Sequence, residues 1–351
     1  MPVFIDLQDT DAWARLFADW QARYSRLFML TDTTTAELCV PRLQALYGAQ
    51  MASVEILPPL KEGEAHKNIQ SAEQIWQALL QARADRRALL LNLGGGLLGD
   101  VGGWAAANYM RGIDFVQMPT TLLSQVDAAV GGKTAINFGG IKNLIGAFAQ
   151  PQQVVLCPQW LQTLPPRQIA AGFAEMLKHS LLDGYAHWRR LSAHNPSELP
   201  SSEWIRQSVD IKSRITQADP TEQGLRKILN LGHTIAHAIE AHSHYAAATE
   251  ADALLHGEAV AAGLWYECRL AAHIGLLAPI TADEICQHLQ KHYYIPRYSS
   301  PKDIDQLLHI MSADKKNQQQ SLRFALLADI GKAQYDVHVS AQDVSAILHS
   351  P

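Results

Sequence analysis

The tightest constraint on this chain is a pair of glycine clusters set close together. Residues 88–93 are a short apolar run of the kind that forms a buried strand. That run leads into Asn92-Leu93-Gly94-Gly95-Gly96-Leu97-Leu98-Gly99-Asp100. A helix-like stretch (105–110), Arg111-Gly112 and a short apolar strand follow, and then Pro119-Thr120-Thr121. The second cluster reads Asp127-Ala128-Ala129-Val130-Gly131-Gly132-Lys133-Thr134 and is followed by Lys142-Asn143-Leu144-Ile145-Gly146. Both clusters are expected in loops. Glycine lets a backbone approach a phosphate, and amides at a helix start point positive dipole at it. The first cluster meets the dinucleotide fingerprint only loosely, and a tight turn without a ligand would read the same. The second, with its lysines and Asp127, favours an anionic ligand.

The rest of the first half alternates strand and helix. Residues 11–24 read as an amphipathic helix, 25–31 as a strand, and 36–47 as a helix behind the cap Asp32-Thr33-Thr34-Thr35. Asp32 at a strand end suits either a ribose contact or a plain N-cap. Residues 54–57 read as a strand and 68–83 as a helix. Alternation from 25 to about 157 is the mark of a parallel sheet covered by helices. After Pro165-Pro166 the pattern turns helical: 169–182, 202–218, 224–242, 257–274, 282–293 and 303–311. Residues 314–320 read as a polar loop, 321–327 as a hairpin strand and 341–349 as a last helix. The expectation is an N-terminal Rossmann-like α/β domain (1–165) and a C-terminal all-α metal- and substrate-binding domain (166–351).

Composition narrows the function. A net charge of −5 with no basic stripe argues against nucleic acid. No apolar run is long enough to span a membrane, and no signal peptide is visible. Four scattered cysteines without a CxxC fit a reducing cytoplasm and offer no thiolate metal site. Histidine is the abundant ligand type, with fifteen in the chain and a concentration over 233–292.

Three places in the helical half carry metal-ligand chemistry. Glu175 and Lys178 share a helix face. Asn230, His233 and His237 fall at helical spacing on another, with Gly232 inside that helix. His256 opens a third. One carboxylate and two histidines from separate helices make an open site for zinc. His242 and His244 fall off the face of the pair and read as solvated. Lys133, Lys142, Lys178, Lys212, Arg226 and Lys315-Lys316 would, if convergent, bind a phosphorylated, sugar-like acid.

Together these motifs resemble the 3-dehydroquinate synthase family of sugar-phosphate cyclases. The resemblance runs from about 25 to 335 and is densest over 94–100, 109–112, 119–134, 142–146, 164–178, 225–240 and 256–263. It implies Glu175, His233 and His256 as ligands of one divalent metal, zinc or cobalt. It implies NAD held by Asp32, Glu64, Lys67, Gly94, Gly95, Gly96, Asp100, Thr120, Thr121, Asp127, Lys133, Lys142 and Thr163. Substrate would meet Asp127, Lys133, Asn143, Lys178, Lys212, Arg226, Asn230, His237 and one of Lys315 and Lys316. Arg111 would cross a homodimer interface. Of these, His237, Lys178, Asn230, Lys133 and Arg226 are the implied catalytic set, with His237 moving a proton.

The implied reaction turns 3-deoxy-D-arabino-heptulosonate 7-phosphate into 3-dehydroquinate and phosphate. It runs through transient oxidation, phosphate elimination, re-reduction and aldol closure, a step of the shikimate pathway to aromatic amino acids. A related cyclase, a metal-dependent polyol dehydrogenase and a non-catalytic binding module are the alternatives. The chain departs from the family at Thr34, Ala128-Ala129, Ala135, Phe138 and Ala236, and its 233–256 segment is longer than usual.

Overall fold

The computed structural model describes residues 2–313 and 321–349. The chain divides into two compact units, Met1–Leu164 and Pro165–Pro351.

The first unit holds strands β1 (Val3–Phe4), β2 (Leu27–Leu30), β3 (Val54–Ile56), β4 (Leu89–Gly94), β5 (Asp114–Pro119), β6 (Lys133–Phe138), β7 (Ile141–Phe148) and β8 (Gln153–Leu156). Six of them form one parallel sheet in the order β1-β8-β5-β4-β2-β3. The period-2 alternation of strand side chains sorts its core onto two faces. Met29, Leu91, Leu93, Val116 and Met118 join Trp13, Phe17 and Leu43 on one side. Phe28, Leu30, Leu90 and Phe115 join Ile75, Val101 and Ala105 on the other. Helices α1 (Thr10–Arg23), α2 (Thr33–Leu38), α3 (Val40–Met51), α4 (Ile69–Gln81) and α5 (Gly96–Asn108) accompany the sheet. From β2 the chain goes to β3 on one side and to β4 on the other. The ends of β2 and β4 therefore flank a topological switch point, where open α/β sheets bind ligands.

Two expectations for this half are corrected. The helix read over 105–110 begins at Gly96 and ends at Asn108. Its glycines do not break it, because they let it press onto the parallel sheet and onto β6: a Cβ at Gly102 would stand 2.3 Å from Asn92 Oδ1, and one at Gly103 2.6 Å from Thr134 Cγ2 and 3.2 Å from the Phe115 ring. The alternation expected to about 157 is interrupted, although Gly131 and Gly132 of the second cluster do lie in a loop. Lys133 begins β6, which pairs antiparallel with β7 in a separate two-stranded sheet and interrupts the alternation. Gly139 and Gly140, both at positive φ, turn this hairpin.

The second unit carries α6 (Pro166–Asp183), α7 (Tyr185–Ser192), α8 (Ser202–Ala218), α9 (His233–Ala246), α10 (His256–His273), α11 (Pro279–His292), α12 (Pro301–Ala313) and α13 (Ala341–His349). The helices are joined by an antiparallel hairpin, β9 (Ser321–Asp329) with β10 (Lys332–Ser340); only its first strand was expected. α10 is buried along nearly its whole length and packs against α6, α9 and α11.

The helix expected over 224–242 is broken. A 3-10 turn covers Leu225–Asn230, and α9 starts only at His233. Gly232 is the cap, at φ +82, where a side chain is strained. Asn230 therefore does not share a helix face with His233 and His237. The polar loop read over 314–320 lies outside the described residues.

Two expected outcomes test this packing. Gly263 in α10 faces Gly232, and a Cβ there would stand 2.0 Å from the Gly232 carbonyl oxygen. Gly263→Ala should cost about 3 kcal/mol, read as a fall in Tm; an unchanged Tm would mean α10 and α9 are not in close contact. His288 packs edge-on to Trp188 at 5.3 Å and beside His292 at 4.9 Å. Burial, reinforced by the charges of His292 and Lys291, pushes its pKa down to about 4. The unfolded chain then takes up a proton near pH 6.5 that the folded chain refuses until about 4. Stability should fall as pH drops through that window, and His288→Gln should shallow the slope in urea titrations at stepped pH.

Candidate functional site

Glu175 sits in the middle of α6, in a run of buried residues, and has no solvent exposure. Lys178, one turn on and 1% exposed, places Nζ 2.5 Å from Glu175 Oε2. His233 and His256 are the first residues of α9 and α10. Their Nε2 atoms stand 3.4 and 3.5 Å from Glu175 Oε1. Those separations are long for hydrogen bonds, and the close partner of the carboxylate, Lys178, stands at Oε2 rather than Oε1. They match instead the ligand-to-ligand spacing of about 3.3 Å that bonds of ~2.0–2.1 Å impose on a tetrahedral zinc. The three ligand atoms all lie within 4.8 Å of one another.

Each histidine has its far nitrogen engaged, which turns Nε2 toward Glu175. His233 Nδ1 lies 3.0 Å from the Leu231 carbonyl, and His256 Nδ1 lies 3.2 Å from Glu240 Oε2. His237 follows His233 by one turn, its ring 5.4 Å from that of His233 and 6.1 Å from that of His256; it is exposed.

Burial tends to raise the Glu175 pKa, but Lys178 and then His233 outweigh it and hold the carboxyl well below its usual range. Burial, with Lys178 adding to it, lowers His233. For His256 burial also pulls down, yet Glu240 and Glu175 prevail and lift it to about 10. An anionic carboxylate with two imidazoles facing it is a donor set suited to zinc or cobalt.

Cations gather in the same unit. Lys178, Lys212 on α8 and Arg226 are all buried, an unusual state for such groups. Arg226 donates to the Pro220 carbonyl, and Asp219 accepts from the backbone of Gln223, Gly224 and Arg226, shaping the loop. Asn230 Nδ2 donates to Glu222 Oε1 at 2.6 Å, and Glu222 holds a left-handed backbone, φ 61. His242 is not solvated as expected: its ring stands edge-on to Tyr298, 3.6 Å from Asp303, while His244 is exposed. Ala236, in place of the family glycine, packs against Gly263. Lys315 and Lys316 lie outside the described residues.

Glu222, Glu240 and Glu267 were not read from the sequence as site residues. Glu240 alone left a signal, one helical turn beyond the histidine pair.

In the first unit, Gly94 closes β4, and Gly95 caps α5. A Cβ at Gly94 would meet Leu98 at 2.8 Å and Asp32 Oδ2 at 3.3 Å. Asp32 does cap α2, accepting from Thr35 at 2.7 Å, and it also stands beside the glycine turn. Thr120 donates its amide to the Gly94 carbonyl, and Thr121 bonds Ser124. Lys67, buried, pairs with Asp100 at 2.5 Å and donates to Asn143. Glu64 accepts from Asn137 at 2.9 Å. These contacts tie the β6–β7 hairpin to the segment ahead of α4. Lys133 and Lys142 are exposed on the hairpin, as is Phe138. Asp127 lies in the helical turn Ser124–Ala128, and Thr163 ends the 3-10 turn Pro158–Thr163. Arg111 is exposed and left-handed, φ 70, next to Met110 at φ 49. An amide-lined helix start at the switch point, with a carboxylate just past the end of the neighbouring strand, fits a dinucleotide.

Comparison with known proteins converges on one family. Residues 58–171 match the family described as 3-dehydroquinate synthase N-terminal, and residues 172–317 match 3-dehydroquinate synthase C-terminal. The chain is 40% identical over 325 residues to the 3-dehydroquinate synthase of Legionella pneumophila (strain Lens), covering 90% of this chain and 84% of that one. It is 38% identical over 327 residues to the 3-dehydroquinate synthase of Parabacteroides distasonis, covering 92% and 90%. Among solved structures, 2-deoxy-scyllo-inosose synthase complexed with carbaglucose-6-phosphate, NAD+ and Co2+ shares the fold. Its TM-score is 0.85 at 24% identity, over 99% of this chain and 96% of that one.

Proposed function

Because the chain belongs to the 3-dehydroquinate synthase family, we propose that it converts 3-deoxy-D-arabino-heptulosonate 7-phosphate to 3-dehydroquinate and phosphate, within the shikimate pathway. The observation that carries this reading is the convergence of Glu175 Oε1 with the Nε2 atoms of His233 and His256 beside the buried Lys178. The unit up to residue 165 would bind NAD, and residues 166–351 would hold metal and substrate.

When bound, NAD would accept and return one hydride, and a zinc or cobalt ion on Glu175, His233 and His256 would acidify a substrate alcohol and polarise the derived ketone. The chain's own groups do the rest. Lys178, Lys212 and Arg226 supply fixed positive charge for the carboxylate and phosphate, and burial strengthens it. Asn230, braced by Glu222, offers an amide to a substrate hydroxyl. His237, exposed beside the histidine pair, can pass a proton between substrate and water. Asp127, Lys133 and Asn143 would add further substrate contacts, with one of Lys315 and Lys316.

For NAD, the Gly94-Gly95-Gly96 turn with Thr120 and Thr121 offers amides and hydroxyls to the pyrophosphate, and Asp32 a carboxylate to a ribose. Glu64, Lys67 and Asp100 hold the neighbouring wall, where Asp127, Lys133, Lys142 and Thr163 would complete the contacts. A homodimer, with Arg111 reaching the partner's substrate, is part of the proposal. A cytoplasmic setting suits Cys39, Cys157, Cys268 and Cys286, all buried and unbridged. No described helix is long and apolar enough to cross a membrane.

Phosphate release from the heptulosonate phosphate, followed together with NADH absorbance in the presence of NAD+ and zinc, tests the reading. Stoichiometric phosphate with no accumulating NADH is expected. NADH rising with turnover would make the chain a dehydrogenase, and no phosphate would point to another sugar-phosphate substrate. Glu175→Ala should lose bound metal and about 10³-fold or more in kcat with the far-UV dichroism intact. Full activity without metal would overturn the ligand assignment.

A further inference from the structure

The two helices that begin with the candidate ligand histidines each send a carboxylate to the other. Glu240 lies two turns along α9, buried at 6% exposure, and its Oε2 stands 3.2 Å from Nδ1 of His256, the first residue of α10. Glu267 lies three turns along α10 and is 1% exposed. Its Oε2 accepts from the Gly232 amide at 2.6 Å and its Oε1 from the Ile235 amide at 3.2 Å. These amides lie at the start of α9, on either side of His233, where a helix has no acceptor of its own. Gly232 has no side chain with which to cap them, so the neighbouring helix does it.

The two contacts act on different freedoms. Glu240 acts on a ring: as acceptor at Nδ1 it keeps a proton there, so that Nε2 is the nitrogen offered to a cation beside Glu175. Glu267 acts on a backbone: it fixes the turn from which the His233 side chain departs. The close approach of Gly263 to the Gly232 carbonyl keeps the helices near enough for both contacts.

We propose that Glu240 and Glu267 form a reciprocal brace that positions the two histidines for a divalent cation. They are positioning residues, acting through His256 and through the α9 start. The inference rests on the metal-centre reading above.

Cobalt(II) titration of the full-length chain, with the visible d–d bands and a chelator competition as readouts, tests it apart from activity. Glu240→Ala should weaken cobalt binding by about 10- to 100-fold. Glu240→Gln keeps the volume and an acceptor oxygen but loses the charge, and should weaken it by about 3- to 10-fold. Glu267→Gln leaves one acceptor for two amides and should also raise the Kd, by about 10-fold. The metal-free Glu240→Gln chain should keep the parent's Tm, which a purely structural role would lower. Cobalt affinities of both Glu240 variants within about twofold of the parent would overturn the brace. If Glu240→Ala does not fold, the same result from Glu240→Gln alone overturns it. A parent chain that binds no cobalt overturns the metal centre and the brace together.

Discussion

The second unit depends on one buried carboxylate. Glu175 has no exposure in the middle of a helix, and an isolated ion so placed would cost far more than a domain's whole stability. It persists because cationic and donor groups surround it: Lys178 from its own helix, His233 and His256 from the starts of two others. Satisfying that single charge brings three helices to one point. The same requirement makes the point useful, since a site that stabilises an anion with two imidazoles facing it is ready to exchange protons for a metal ion.

The first unit has a different dependency. Its sheet is ordinary in pattern, but α5 lies on it at a distance that only glycine allows at Gly102 and Gly103. That closeness brings the start of α5 over the end of β4, beside Asp32 at the cap of α2. The hairpin β6–β7 is then held against the unit through Lys67, Asp100, Asn143 and the Glu64–Asn137 contact. Steric permission and polar ties divide the work.

Much of this was legible in the sequence. Leu27–Leu30 and Leu89–Gly94 stand out as apolar runs, and Asp32 as a cap. Glu175, His233 and His256 stood out because their residue types and motif neighbours point to ligation. The misses have physical causes. Glycine counts against a helix unless something needs the space, so the start of α5 was placed nine residues late. The break before His233 depends on Gly232 adopting a positive φ to meet α10, a tertiary fact. The hairpin needed its partner strand and its ties to Lys67 to be seen. Glu267 acts across helices from a point far along α10, and its reach to the start of α9 leaves no local pattern.

The position of the two histidines has a consequence for charge. Each is the first residue of its helix, so the positive ends of two backbone dipoles, each equivalent to roughly half an elementary charge, are aimed at the same small volume. The chain as a whole carries a net charge of −5 and repels acids at long range. At the mouths of α9 and α10 the two dipoles and the buried Lys178 stand against the buried carboxylates Glu175, Glu240 and Glu267 and offset part of their charge. That share of the balance comes from peptide groups, so exchanging a side chain for another leaves it in place.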